Sequence, residues 1–165
     1  MAVILDRYEL PPNGLHGVVH WARVLENGLR LAPETGANIH VVTYFAILHD
    51  SQRLSEGHDP DHGPRAARFS EEVREELIVL NDHQFGLLVR ACEGHTHERT
   101  HPDPTIQTCW DSDRLDLGRV GITPHRSRLC TEFACRKETI DWTHGRACMD
   151  FVPDRVRDEW GIELD

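Results

Sequence analysis

Apolar residues recur at three- and four-residue steps from Leu15 onward. Leu15, Val18, Val19, Ala22, Leu25 and Leu29 share one side of a helix that Pro33 is expected to stop. Before it, Pro11-Pro12-Asn13-Gly14 reads as a turn following an extended N-terminal arm. Gly36-Ala37 opens a second helix through Ile39, Val41, Val42, Tyr44, Phe45, Ala46, Ile47 and Leu48. The start of that run has strand propensity, but the run outlasts an ordinary strand. An apolar helix of this kind needs neighbours around most of its circumference, so it is placed at the centre. A polar loop punctuated by Gly and Pro covers residues 51–65, with Pro64 in the first turn of the next helix. Ser70, Glu71 and Glu72 read as the cap and acidic first turn of another helical piece ending near Leu80. Asn81 or Asp82 caps the next helix, with Phe85, Leu88, Val89 and Cys92 inward and residues 93–97 closing it. Residues 105–117 read as a further helix, residues 118–128 as a loop, and residues 154–160 as a short closing helix. Trp142, Phe151 and Trp160 are expected to anchor the terminal segments. The pattern predicts an all-α protein.

Composition narrows the classes of partner. At 165 residues the chain is long enough for one domain with a substantial core. Lys+Arg of 18 against Asp+Glu of 28 gives a net charge of -10, which argues against a nucleic-acid polymer or an anionic membrane as partner. A small phosphorylated substrate stays compatible, because a few local arginines and a metal suffice. Cys92, Cys109, Cys130, Cys135 and Cys148 are odd in number and form no CxxC pair, so neither a disulfide framework nor a structural zinc is expected. Ala2-Val3-Ile4-Leu5 is too short for a signal peptide, and no stretch is long enough to span a bilayer. A cytoplasmic location is the expectation; a homo-oligomer is compatible with the sequence.

The candidate chemistry lies in the histidines and aspartates. His49-Asp50 ends the central apolar helix, where an imidazole and a carboxylate can share one divalent ion; an unpaired buried carboxylate there would be costly. His16, His20 and Arg23 fall on one helix face. Without a partner, His16 reads as a solvated or capping side chain. His58, His97 and His101 read as solvated, and His125 and Arg126 are weak pocket candidates. Arg53, Arg65 and Arg68 follow His49-Asp50 and can neutralise phosphate oxygens. Solvated arginines are the equal alternative. Asp111 and Asp113 are two apart and point to different faces, and Arg114 is a candidate partner for Asp111.

The order His20, His49-Asp50, His62, His95, Asp113, on a helical background and ending in Asp113-Arg114-Leu115, resembles the HD superfamily of metal-dependent phosphohydrolases. The resemblance covers about residues 15–118 and implies an HD-type helical bundle with a central metal site. Residues 119–165 would pack on that core within one domain, 1–165. It implies His20, His49, Asp50 and Asp113 as ligands of one ion. His62, in His62-Gly63-Pro64, and His95, before Thr96, would hold a second ion with Asp50 bridging. It selects Asp113 over Asp111, because the ligand of the motif stands directly before Arg-Leu. Asp116 would orient a ligand water or contact substrate. A cysteine-free ligand set suits Mn²⁺, Fe²⁺, Mg²⁺, Ni²⁺ or Zn²⁺, as one or two ions.

The implied activity is hydrolysis of a nucleotide or another small phosphate ester, with Asp50, Arg53, Arg65 and Asp116 as catalytic candidates. Two alternatives stand beside it. Some HD-fold proteins with this ligand order resemble inositol oxygenase, a di-iron enzyme, and fold alone cannot choose the reaction. A non-enzymatic module that binds a metal or ligand is the other.

Overall fold

The computed structural model describes residues 1–164 and is all-helical, with no strand among the described residues. Helix α1 spans Ala2–Leu5, α2 Val18–Thr35, α3 Ile39–Leu48, α4 His62–Glu72 and α5 Arg74–Leu77. Then come α6, Asp82–Gly94, and α7, Pro104–Arg114. Two 3₁₀ turns, Leu117–Val120 and Arg126–Arg128, lead to α8, Lys137–Cys148, and α9, Arg155–Asp158.

Helix α3 is the hub. It packs against α2, α6 and α7, with α4 lying on α6. The Asn38 side chain starts it by accepting from the backbone N–H groups of His40 and Val41 at 3.0 and 3.2 Å. Val41, Val42, Phe45, Ala46 and Leu48 are buried, and Trp21, Trp110, Leu88 and Ile106 complete the packing around them. Each such side chain contributes about 1.5–3 kcal/mol by leaving water. The Trp110 indole donates to the carbonyl of Ala91 at 2.9 Å and joins α7 to α6. A close approach between α2 and α3 requires Gly28, where a Cβ would stand 2.3 Å from Val42 Cγ1.

Several boundaries differ from the expected ones. The N-terminal arm contains a helical turn, because Ile4 and Tyr8 are buried in the core and hold the segment against it. Helix α2 begins at Val18, and Leu15 is about half exposed rather than part of the apolar face. Pro33 does not stop α2. Its ring removes one backbone bond in the last turn, burial of Leu31 and Ala32 outweighs that loss, and Gly36 ends the helix at φ +72°. Ser70 is no cap: α4 runs through it, and its hydroxyl donates to the Ala66 carbonyl at 2.8 Å. Helix α7 ends at Arg114, so Asp116 lies just beyond it at the start of a 3₁₀ turn.

Two apolar contacts attach the C-terminal part, beside polar ones. Leu31, Leu115 and Ala134 form a small second cluster, with Leu129, Phe133 and Ile140 packed on it. Helix α9 contacts α2, and its Val156 is buried in the main core, with Trp160 packed beside it. Arg146 stacks over the rings of Trp142 and Phe151 at 4.4 and 4.0 Å.

Candidate metal centre

Five helices deliver side chains to one point. His20 comes from the first turn of α2, His49 and Asp50 follow α3, and His62 is the first residue of α4. His95 closes α6, and Asp113 lies in the last turn of α7. All but Asp113 are buried, and its side chain is only 16% exposed. The residues named by the motif order therefore converge, although Asp50 and Asp113 are far apart along the chain.

What each imidazole does with Nδ1 decides what it can do with Nε2. His20 Nδ1 faces Asp116 Oδ2 at 2.8 Å. His49 Nδ1 faces the carbonyls of Phe45 and Ala46, both at 3.1 Å. His62 Nδ1 meets the Asp59 carbonyl at 2.5 Å, and His95 Nδ1 the Cys92 carbonyl at 2.7 Å. These partners are acceptors, which favours the proton on each Nδ1 and leaves Nε2 as the nitrogen free to bind a cation. His20 is held neutral: burial and then Arg119 lower its pKa, outweighing the opposing contacts with Asp116 and Asp50.

The bare nitrogens then point at one another. His20 Nε2 and His49 Nε2 are 3.1 Å apart, and His62 Nε2 and His95 Nε2 are 2.8 Å apart. Two lone pairs at that distance repel, and burial removes the water that would otherwise bond them. A cation between them turns each repulsion into two bonds. That is the physical case for metal at this site.

The carboxylates complete two sets of donors. Asp50 Oδ2 is 3.5 Å from His20 Nε2 and 3.8 Å from His49 Nε2, and Asp113 Oδ1 is 3.5 and 3.7 Å from the same atoms. Asp50 Oδ1 turns the other way, 3.2 Å from His62 Nε2 and 3.7 Å from His95 Nε2. Donors bound to one ion at about 2.0–2.2 Å stand roughly 3–3.5 Å apart, and the donors of both sets, 2.8 to 3.8 Å from one another, lie within a few tenths of an ångström of that spacing. These buried groups could hold metal ions. The second set has fewer protein donors, and Thr96 Oγ1 and Arg53 Nη1 also stand by His62 Nε2, at 3.1 and 3.3 Å.

Around the donors is a layer of supports. Asp116 is buried and accepts from Arg23 Nε at 2.7 Å as well as from His20. Burial alone would push its carboxyl up, but His20 and Arg23 together hold it below the usual range. It orients His20 and does not line the cavity above the site, which corrects the expectation that it could contact substrate. His16 is also corrected. It is buried, with Nδ1 2.7 Å from Asp50 Oδ2, a contact across 34 positions that helix periodicity does not register.

A cavity of about 570 Å³ opens over the donors, with Asp50, His62, His95 and Asp113 in its lining. Arg53 lines it, anchored by the carbonyls of Gly57 and Ser55 at 2.7 and 3.2 Å. Arg65 does not line it: its guanidinium bonds the Gln52 carbonyl at 2.9 Å and Asp59 at 2.5 Å, bracing the loop before α4. Arg68 is exposed elsewhere. The cationic residue nearest the donors that the sequence does not announce is Arg119. It lines the cavity, lies 3.8 Å from Asp113 Oδ1 and donates to the Leu15 carbonyl at 3.1 Å. Its segment carries no motif; its spacing of three from Asp116 was the available signal.

Of the weaker candidates, His97 and His125 line the cavity and Arg126 does not. His58 is exposed, whereas His101 is half-buried and packs edge-on against Trp110. Asp111 is not paired with Arg114; it accepts from the backbone N–H of Cys130 and Thr131 at 2.7 and 2.8 Å. No helix is long and apolar enough to cross a membrane among the described residues.

No protein-family model matches the chain, and neither the curated proteins nor the solved structures give a match. The functional reading therefore rests on the residues themselves.

Proposed function

We propose that this chain is a metal-dependent phosphohydrolase, similar to the HD superfamily, acting on a nucleotide or another small phosphate ester. The observation that carries the reading is the pairing of a shared-carboxylate donor set with two arginines, Arg53 and Arg119, in one cavity wall. His20, His49, Asp50 and Asp113 would hold one ion, and Asp50, His62 and His95 a second. Ions there would supply Lewis acidity toward a phosphoryl group and lower the pKa of water.

The chain supplies the rest. Arg53 and Arg119 are each fixed by two backbone carbonyls, so both charges are in place before substrate arrives. They would take up negative charge on the phosphoryl oxygens, which ordinary solvated arginines do only after losing side-chain freedom. Asp116 and the backbone carbonyls behind His49, His62 and His95 keep the imidazoles in the tautomer that binds metal.

A di-iron oxygenase is the second reading, favoured by the excess of imidazole over carboxylate donors, which suits iron better than magnesium. Phosphate release from para-nitrophenyl phosphate and from nucleoside monophosphates, followed with and without oxygen, separates the readings. Metal-dependent release that is independent of oxygen and lost in Arg53→Ala supports hydrolysis. Oxygen consumption without phosphate release would replace it with the oxygenase, and retained metal without either activity would leave a binding module.

A further inference from the structure

The cavity contains a second group of positive charge that the donor sets leave unused. Arg99, in the segment after α6, and Arg128, in the second 3₁₀ turn, both line it. Their backbone carbonyls are bonded, yet neither guanidinium has a hydrogen-bond or ion-pair partner among the described residues. Acids outnumber bases 28 to 18 in this chain, and several arginines find carboxylates: Arg7 pairs with Glu72, Arg74 with Asp82, Arg90 with Glu98 and Arg155 with Glu159. Arg68 and Arg126 are exposed as well, but they lie outside the cavity, whereas Arg99 and Arg128 line it. Glu98 lines the same cavity and could have neutralised Arg99, but it is taken up by Arg90.

The two residues are also held side by side. Arg114 Nη1 donates to the carbonyls of Arg99 at 2.9 Å and Arg128 at 3.1 Å, so one atom ties both segments together. Asp111 pins the residues after Arg128 to α7 through the N–H groups of Cys130 and Thr131. Arg114 is the residue next to the donor Asp113, so the same turn of α7 carries a donor and ties these two cavity-lining segments together. Ile122 and Pro124 add apolar wall to it.

We propose that Arg99 and Arg128 form an anion-binding subsite, so that the substrate carries a second oxyanion besides the phosphate held at the metal centre. The second group is a phosphate or a carboxylate, joined to the first by a short neutral spacer that can lie along the apolar wall. This substrate class rests on the phosphohydrolase reading; the subsite itself is testable by binding alone.

The probes are alkyl monophosphates, ω-carboxyalkyl phosphates and α,ω-alkanediol bisphosphates of matched chain length. Calorimetry would measure their dissociation constants on metal-loaded protein at fixed ionic strength. At one spacer length a doubly anionic probe should bind at least about tenfold more tightly than the monophosphate, as a charge-assisted contact allows. The better of the carboxylate and bisphosphate series identifies the second group. In Arg99→Ala/Arg128→Ala the ratio should fall to about one, with helical circular dichroism intact because both side chains are exposed and unpartnered. Arg99→Lys/Arg128→Lys should keep part of the preference. Equal binding of all probes to the wild type, or a preference that survives in the double alanine variant, would overturn the subsite. A preserved preference without hydrolysis of any probe supports the subsite and counts only against the phosphohydrolase reading.

Discussion

His20 Nδ1 lies 2.8 Å from Asp116 Oδ2, across 96 positions of the chain. The same carboxylate accepts from Arg23, one helical turn after His20, and Arg23 reaches on to Asp150 and the Phe151 carbonyl at 3.2 and 3.1 Å. A candidate metal donor on α2 is thereby linked through one buried ion pair to the segment after α8. Asp116→Asn keeps an acceptor for the imidazole but removes the charge that fixes Arg23. It should weaken metal binding by about 10- to 100-fold, as replacement of a ligand's charged supporting partner does elsewhere. Asp116→Ala leaves Arg23 buried without its partner and should cost about 3–5 kcal/mol of stability as well. Metal titration and denaturant unfolding read the two effects separately.

The facing Nε2 atoms predict an inversion between metal-free and metal-loaded protein. With ions bound, His49→Ala should lower the melting temperature, because ligand binding to the folded state is lost. After chelation the same substitution removes a buried lone-pair repulsion and should be neutral or stabilising, beyond the small loss of packing against Phe45. Thermal unfolding of wild type and variant, each with and without chelator, checks this. A variant that is equally less stable in both conditions would mean that the nitrogens do not repel.

Acid should release the metal before it unfolds the protein. Each donor imidazole must be neutral to bind, so affinity falls as pH drops through the imidazole range. His20, whose pKa burial and Arg119 lower, is protonated at a lower pH than an ordinary histidine. Metal content after dialysis at stepped pH, alongside circular dichroism, should show metal leaving while the helical signal persists.

The α2–α3 approach gives a test of the packing. Gly28→Ala places a Cβ against Val42 and should destabilise by about 1–3 kcal/mol. Val42→Ala in the same chain should recover part of that loss, because the clash is with Val42 Cγ1. Additive losses in the double variant would contradict the contact.

Thiol labelling at pH 8 tests burial. Cys148 is exposed and should react first, with Cys130 and Cys135 slower. Cys92 and Cys109 are buried; burial pushes the Cys92 thiol up to about 12 and raises the Cys109 thiol well above its ordinary value, so both should stay unreactive until the protein unfolds.

Much of this arrangement is legible in the residues. His49 and Asp50 end an apolar run that only a central helix can bury, and Asn81 with Gln84 announces the start of α6 by a capping box. His20, His62, His95 and Asp113 are recognisable by their order in the chain. What periodicity cannot supply is contact between distant positions. His16 lies four residues before His20, in the turn ahead of α2, and only the fold shows that it meets Asp50. Arg119 sits in a loop-like stretch without pattern and becomes part of the site because a 3₁₀ turn carries it back over Asp113. Arg65 fails in the opposite sense: its proximity in sequence suggested the site, but Asp59 and the Gln52 carbonyl take its guanidinium. Pro33 shows the same limit for helix ends, since burial of Leu31 outweighs a local breaker.

The central claim is that His20, His49, Asp50 and Asp113 hold one ion, while His62 and His95 share Asp50 to hold another. The most direct measurement is elemental analysis of protein purified anaerobically without chelator or added metal, for wild type, His49→Ala and His62→Ala. Two ions per chain in the wild type, near one in His62→Ala and near none in His49→Ala is the predicted result. A wild type that holds no metal even after reconstitution, or two variants that keep the full content, would contradict it.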